Sequence, residues 1–200
     1  IYDCVEKAGF KAVMTSPECG SGTERVEEAY RNLGSDADVV INVQGDEPFI
    51  REEQIGRLKN IFDRYPQTEL ATLVKVYNPE GGIKGLEDPN LVKVTVAEDG
   101  NALYFSRSVI PFVRGASRDK WLEKAGFLTH IGIYAYKADV LKRIVCLPIS
   151  PLEKAESLEQ LRWLQNGYRI RTAMTEFDTI GIDTPADLAA AEEYLKNRAV

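Results

Sequence analysis

Asp46 stands just past 39–43, a nearly continuous apolar, β-branched run, at the place where open α/β sheets bind ligands beyond the C-terminal ends of their strands. Asp183 also follows a strand-like stretch and precedes a helix. If both strands belong to one sheet, the two carboxylates emerge at the same edge. They are hard oxygen ligands of the kind Mg2+ takes when phosphates complete its shell. Read singly, each has a plainer alternative: Gly45-Asp46-Glu47-Pro48 as a turn into a helix, and Asp183 as a helix-end charge beside the Thr184 cap.

Other polar residues stand at element ends or on exposed faces. His130, the single histidine, alternates with Gly132, Tyr134 and Tyr136 on one face of a strand, while Ile131, Ile133 and Ala135 take the core face. His130 and Tyr134 are then roughly 13 Å apart at Cα, a span across which two long side chains could grip a sugar. Arg107 closes a strand and could pair bidentately with a carboxylate. Glu159 and Gln160 read as solvated positions on a helix. The loop Cys19-Gly-Ser-Gly-Thr-Glu-Arg25 joins flexible backbone to a helix N-terminus, which can meet anionic ligand atoms, but no Gly-Lys-Ser/Thr follows to make a Walker motif.

The elements that must position these groups alternate along the chain. A short strand is expected at 11–15, a helix at 23–33 capped by Thr23, the strand 39–43 covered on both faces of a parallel sheet, a helix at 51–65 and a strand at 70–76. Short strands at 93–96 and 102–106 flank Asp99-Gly100, a hairpin signal, and 113–124 is polar and irregular enough to be a mobile excursion, with closure over substrate left open. Ser150-Pro-Leu-Glu153 is a capping box with Pro at the first helical position, opening a helix whose apolar residues Leu152, Ala155, Leu158, Leu161 and Leu164 recur every third residue until Gly167. A strand at 169–175 and a terminal helix from Thr184 complete the order. This is an α/β chain with a mostly parallel, Rossmann-like sheet and an inserted antiparallel hairpin region within 93–136, all in one domain spanning 1–200.

Composition excludes several classes. No run approaches the ~18 apolar residues of a spanning helix. The net charge of −6, from 25 basic and 31 acidic residues with both signs scattered, lacks the basic face of a nucleic-acid binder. Cys4, Cys19 and Cys146 fit neither a disulfide framework nor a zinc site, and they suit a reducing cytoplasm.

Six stretches in order resemble the 3-deoxy-manno-octulosonate (Kdo) cytidylyltransferases: Ser21-Gly-Thr-Glu-Arg25, Val43-Gln-Gly-Asp-Glu-Pro48, Leu103-Tyr-Phe-Ser-Arg-Ser108, His130-Ile-Gly-Ile-Tyr-Ala-Tyr136, the run from Ser150 to Arg162, and Gly181-Ile-Asp-Thr-Pro185. The resemblance implies a nucleotide-sugar transferase fold and transfer of CMP from CTP to Kdo, with release of pyrophosphate, in lipopolysaccharide precursor synthesis. It implies that Asp46 and Asp183 hold Mg2+, that Gln44, Arg107, His130, Tyr134, Glu159 and Gln160 surround Kdo, and that Ser21, Gly22 and Arg25 lie near the nucleotide. It also implies a homodimer. Such enzymes begin with a strand and a Gly-, Arg- and Lys-containing loop that embraces the triphosphate. That pattern is not found in this chain, so these 200 residues alone are expected to turn over weakly or not at all. Two alternatives stay open: CTP transfer to another acidic sugar such as a sialic acid, and a truncated sugar-binding module without activity.

Overall fold

The computed structural model describes residues 1–177, 181–182 and 184–198. Helices α1 (Tyr2–Lys7) and α2 (Gly22–Asn32) precede strand β1 (Val39–Asn42), followed by α3 (Glu52–Arg64), β2 (Leu70–Val76) and α4 (Gly82–Leu86). Strands β3 (Lys93–Val96) and β4 (Ala102–Ser106) form the expected hairpin, with Gly100 at φ 83° in its turn. Then come α5 (Trp121–Lys124), β5 (Leu128–Lys137), α6 (Ala138–Ile144), α7 (Pro151–Glu156), α8 (Gln160–Gln165), β6 (Ile170–Met174) and α9 (Pro185–Arg198).

The sheet runs β4-β3-β5-β2-β6, with β1 on β5 as well. The fold is α/β, but the expected parallel character is confined to β2/β6; β5 runs antiparallel to β1, β2 and β3. Apolar patterning cannot distinguish these directions, because a strand buried on both faces reads alike in either one. At the far edge the turn of the β3–β4 hairpin reaches back to β6, where the Thr172 N–H donates to the Gly100 carbonyl at 2.8 Å. The stretch 11–15 is irregular rather than a strand, and β1 is mostly half-buried rather than covered on both faces.

Both faces of β5 are core. Ile131, Ile133 and Ala135 pack with Leu58 and Ile61 of α3, whereas Tyr134 and Tyr136 pack with Leu158, Leu161 and Trp163. The tyrosine face is therefore not the outward one that alternation predicts. Aromatic side chains carry enough apolar area to fill a core while keeping one polar atom for a ligand.

The helix expected to run unbroken from the Ser150 capping box divides instead into α7 and α8. Its cap forms as read, with Ser150 Oγ accepting from the Glu153 N–H and Pro151 at the first position. The break is at Ser157, in the left-handed region at φ 52°. Arg107 explains it: Nε donates to the Glu156 carbonyl at 2.6 Å and Nη2 to the Ser157 carbonyl at 3.3 Å, occupying the acceptors that a continuing helix would use. The stretch 113–124 is anchored, since Trp121 is buried with Phe127 and Leu86 and meets Phe112 edge-on.

Below the break, α7 and α8 are locked by a buried fork. Arg162 donates Nε and Nη2 to the two Glu153 oxygens at 2.7 and 2.6 Å, and Nη1 to the Leu147 carbonyl at 3.1 Å. The side chains are 5% and 13% exposed. Removing one member strands a buried charge, so Glu153→Ala should lower unfolding free energy by about 3 kcal/mol. Glu123→Ala, which opens only the solvent-exposed Lys120–Glu123 pair, should cost under about 0.5 kcal/mol. Urea denaturation of the two variants beside the parent measures both.

Candidate active site

The first part of the site is built where α2 begins. Ser21 has extended backbone and its Oγ accepts from the Glu24 N–H at 3.2 Å, so Ser21, not Thr23, caps the helix. Freed from capping, Thr23 is 2% exposed and donates its hydroxyl to Glu159 Oε2 at 2.7 Å. Ser21 donates to Glu159 Oε1 at 2.9 Å. Glu159, expected to be solvated, is thus held by two hydroxyls of the glycine loop, with Arg162 Nη2 3.9 Å away. Gln160 beside it is buried. Arg25 is exposed and donates to Thr15 Oγ1 at 2.7 Å and the Ser16 carbonyl at 3.3 Å.

The loop after β1 borders this corner. The amide of Gln44 lies against Gly22, 3.6 Å from where a Cβ there would be. The Glu47 N–H closes the turn onto the Gln44 carbonyl at 3.1 Å, leaving Asp46 exposed at its apex. The Asp46 carbonyl accepts the Ile182 N–H at 2.9 Å. Asp183 itself lies outside the described residues; after it, Thr184 starts α9 with its N–H and hydroxyl both 2.8 Å from Asp187 Oδ2. Among the described residues, no three His, Cys, Asp or Glu side chains gather as a metal cage. Mg2+ does not require one, because one or two carboxylates plus substrate phosphates and water satisfy its octahedron.

The second part is the tyrosine face of β5. The pairing of β2 with β5 slips between Thr72, opposite Tyr134, and Leu73, opposite Ile131, which leaves Gly132 and Ile133 without partners in β2. The slip draws His130 and Tyr134 together: their ring centroids are 5.2 Å apart, so no sugar lies between them as an undistorted strand would allow. The His130 ring meets Phe105 edge-on at 5.1 Å, and Nε2 is 2.9 Å from Thr72 Oγ1. Burial drives the His130 pKa down to about 3. Burial also raises the Tyr134 and Tyr136 phenols, with Glu159 adding to the effect. The Tyr134 hydroxyl lies against Thr72, and that of Tyr136 against Thr23 and Asn42, without reaching hydrogen-bond geometry.

Arg107 sits at the end of β4. Besides the two carbonyls of the helix break it donates Nη1 to the Pro89 carbonyl at 2.8 Å. Glu156 answers from the other side, accepting from Ser106 Oγ at 2.7 Å and from the Arg107 N–H at 2.9 Å. Thr72 and Glu47 are members that residue patterns did not single out, and Thr23 reads there only as a helix cap. Glu47 Oε1 is 3.5 Å from where a Cβ on Gly132 would sit, and its one signal in the sequence is its place next to Asp46. A groove of about 690 Å3 along the outer side of β1, lined by Val39, Ile41 and Phe62 among others, contains none of these groups.

The cytidylyltransferase family model matches residues 1–170. The 3-deoxy-manno-octulosonate cytidylyltransferase of Phocaeicola vulgatus is 54% identical over 99% of this chain and 78% of its own length. The chain belongs to this family. The enzymes of the same name from Bacteroides thetaiotaomicron and Porphyromonas gingivalis are 52% and 50% identical, each over all of this chain. A solved CMP:2-keto-3-deoxy-manno-octonic acid synthetase in complex with CTP superposes with a TM-score of 0.88 at 39% identity, over 98% of this chain and 77% of that one. A 4-diphosphocytidyl-2C-methyl-D-erythritol synthase from Anaerococcus prevotii, with a TM-score of 0.54 at 15% identity, shares the fold alone.

The depressed His130 pKa makes a prediction for this family member. Between the unfolded value of about 6.5 and the folded value of about 3, the unfolded chain binds the extra proton, so stability falls as pH falls through that window. Replacing His130 with Gln should flatten this part of the stability profile. Urea midpoints of both proteins from pH 7 to pH 4 test it, and parallel profiles would contradict the assignment.

Proposed function

We propose that this protein transfers CMP from CTP to Kdo, releasing pyrophosphate, with Mg2+ as the cofactor. The anomeric hydroxyl of the sugar attacks the α-phosphorus; the new P–O bond forms as the bond to the pyrophosphate oxygen breaks, and the hydroxyl proton passes to solvent. Kdo is preferred over a sialic acid because the motif carrying Glu159 and Gln160 lies in the aligned stretch of relatives whose names specify this sugar. The structural observation carrying the reading is the Ile182–Asp46 hydrogen bond, which brings the residue preceding Asp183 to the turn bearing Asp46.

When bound, the metal would supply charge neutralisation at the phosphates, held by Asp46 and Asp183. This chain's own groups bind and orient. Glu159 already accepts two hydroxyl protons, and a carboxylate has about four lone-pair sites, so acceptor capacity remains for sugar hydroxyls. Arg107 uses three of its five N–H groups on carbonyls, leaving two for the Kdo carboxylate. The Gln44 amide stands where the loop after β1 meets the glycine loop, beside the Ser21 and Gly22 end of α2. Arg25 steadies the nucleotide side through Thr15.

The setting follows the same reading. Cys4, Cys19 and Cys146 are free thiols, and among the described residues no helix is long and apolar enough to cross a membrane, which supports a cytoplasmic enzyme. Leu103 and Phe112 of the inserted region are 62% and 74% exposed, apolar surface that a homodimer would cover.

Whatever pyrophosphate release from CTP and Kdo the parent protein shows should require Mg2+, and Asp46→Ala or Asp183→Ala should each lower it on the order of 10²–10³-fold, or to the detection limit where the parent turns over weakly, without unfolding the protein. Turnover with sialic acid and none with Kdo would overturn the sugar assignment. Undiminished activity in either Asp variant would overturn the metal assignment.

A further inference from the structure

Thr72 is fully buried in β2, at the slip in the β2–β5 pairing. Its Oγ1 lies 2.8 Å from the Ile133 carbonyl, 3.3 Å from the Ile131 carbonyl and 2.9 Å from His130 Nε2. A hydroxyl has one proton to give. Two oxygens 2.8 Å apart with no proton between them would repel, so that proton goes to the Ile133 carbonyl, which the bulge has turned toward Thr72. Oγ1 then meets Nε2 through a lone pair, and Nε2 must carry the hydrogen.

We propose that Thr72 is a positioning residue that fixes the tautomer of His130, holding the proton on Nε2 and leaving Nδ1 as a hydrogen-bond acceptor for a hydroxyl of the substrate. The second half of this statement rests on the Kdo reading of the site; the first half rests on the three Thr72 distances alone. The ring has no freedom to exchange the roles of its nitrogens by rotating, because Phe105 meets it edge-on and Tyr134 covers it at 5.2 Å. Burial keeps the imidazole neutral down to about pH 3, so the lone pair on Nδ1 persists throughout the working range. A sugar hydroxyl can donate to such a nitrogen, whereas a carboxylate would be repelled. His130 thereby favours a hydroxyl-rich part of the sugar, and the carboxylate falls to Arg107.

The chain has one histidine, so 15N-histidine labelling reports His130 without assignment. In the parent protein Nδ1 should resonate as an unprotonated, pyridine-like nitrogen and Nε2 as a protonated, pyrrole-like one. Thr72→Ser, which keeps the hydroxyl, should preserve this pattern, and Thr72→Val should average the two nitrogens toward a tautomer mixture. In turnover, Thr72→Val should raise the KM for Kdo about tenfold, the worth of one hydrogen bond, with the KM for CTP unchanged and Thr72→Ser restoring the parent value. A protonated Nδ1 in the parent overturns the proposal outright, whether or not the variants fold. The expected spectra with no change in the KM for Kdo would leave the tautomer lock standing and remove its role in sugar binding.

Discussion

The two-residue slip in β5 is the constraint around which the site is arranged. A strand paired on both edges has no freedom to move a side chain sideways, and regular alternation would keep His130 and Tyr134 two pleats apart. The slip leaves Gly132 and Ile133 unpaired with β2, brings the two rings into contact, and turns backbone carbonyls inward. Buried carbonyls need donors. Thr72 supplies one from the neighbouring strand, and in doing so its oxygen becomes the acceptor for His130. Satisfying the distorted backbone and orienting the histidine are one act, carried by a single hydroxyl.

Glu159 plays the corresponding part at the other wall. It is far from α2 in sequence, yet its two oxygens take the hydroxyls of Ser21 and Thr23. Those contacts tie the loop that begins α2 to the start of α8, so the two sides of the site cannot shift independently without breaking charge-assisted hydrogen bonds. The left-handed Ser157 makes this reach possible. A continuous helix through 150–165 would carry Glu159 on a different face, and Arg107 keeps the helix from closing by capturing the carbonyls on either side of the break.

Much of this was legible in the residues, and what was not has identifiable causes. The Ser150 box, the β3–β4 hairpin and the extents of β2 and α3 rest on local chemistry, and local chemistry is visible in a window of a few residues. Strand direction is not local: β1 and β2 both flank β5 antiparallel, and nothing in their apolar runs records it. The helix break is equally invisible, because every-third-residue apolar spacing persists across Ser157 and the cause is an arginine some fifty positions earlier. Thr23 could be read as a cap because threonine caps helices; that Ser21 does so instead depends on where Glu159 comes to lie.

The same reasoning accounts for the buried polar groups around Arg107. Lys93 is fully buried, opposite Ser106 in the hairpin, and donates Nζ to the Asp88 carbonyl at 2.9 Å; burial lowers its pKa while nearby Asp88 and Glu156 oppose that shift. Two cations this close would destabilise one another without a shared anion, and Glu156 is that anion, already engaged by Ser106 and by the Arg107 backbone. Arg107 is consequently held in place by groups that leave part of its guanidinium unspent. Under the proposed reading, orientation secured before the substrate arrives would let Arg107 bind the Kdo carboxylate without first losing its own freedom, and the contacts that secure it also end α7.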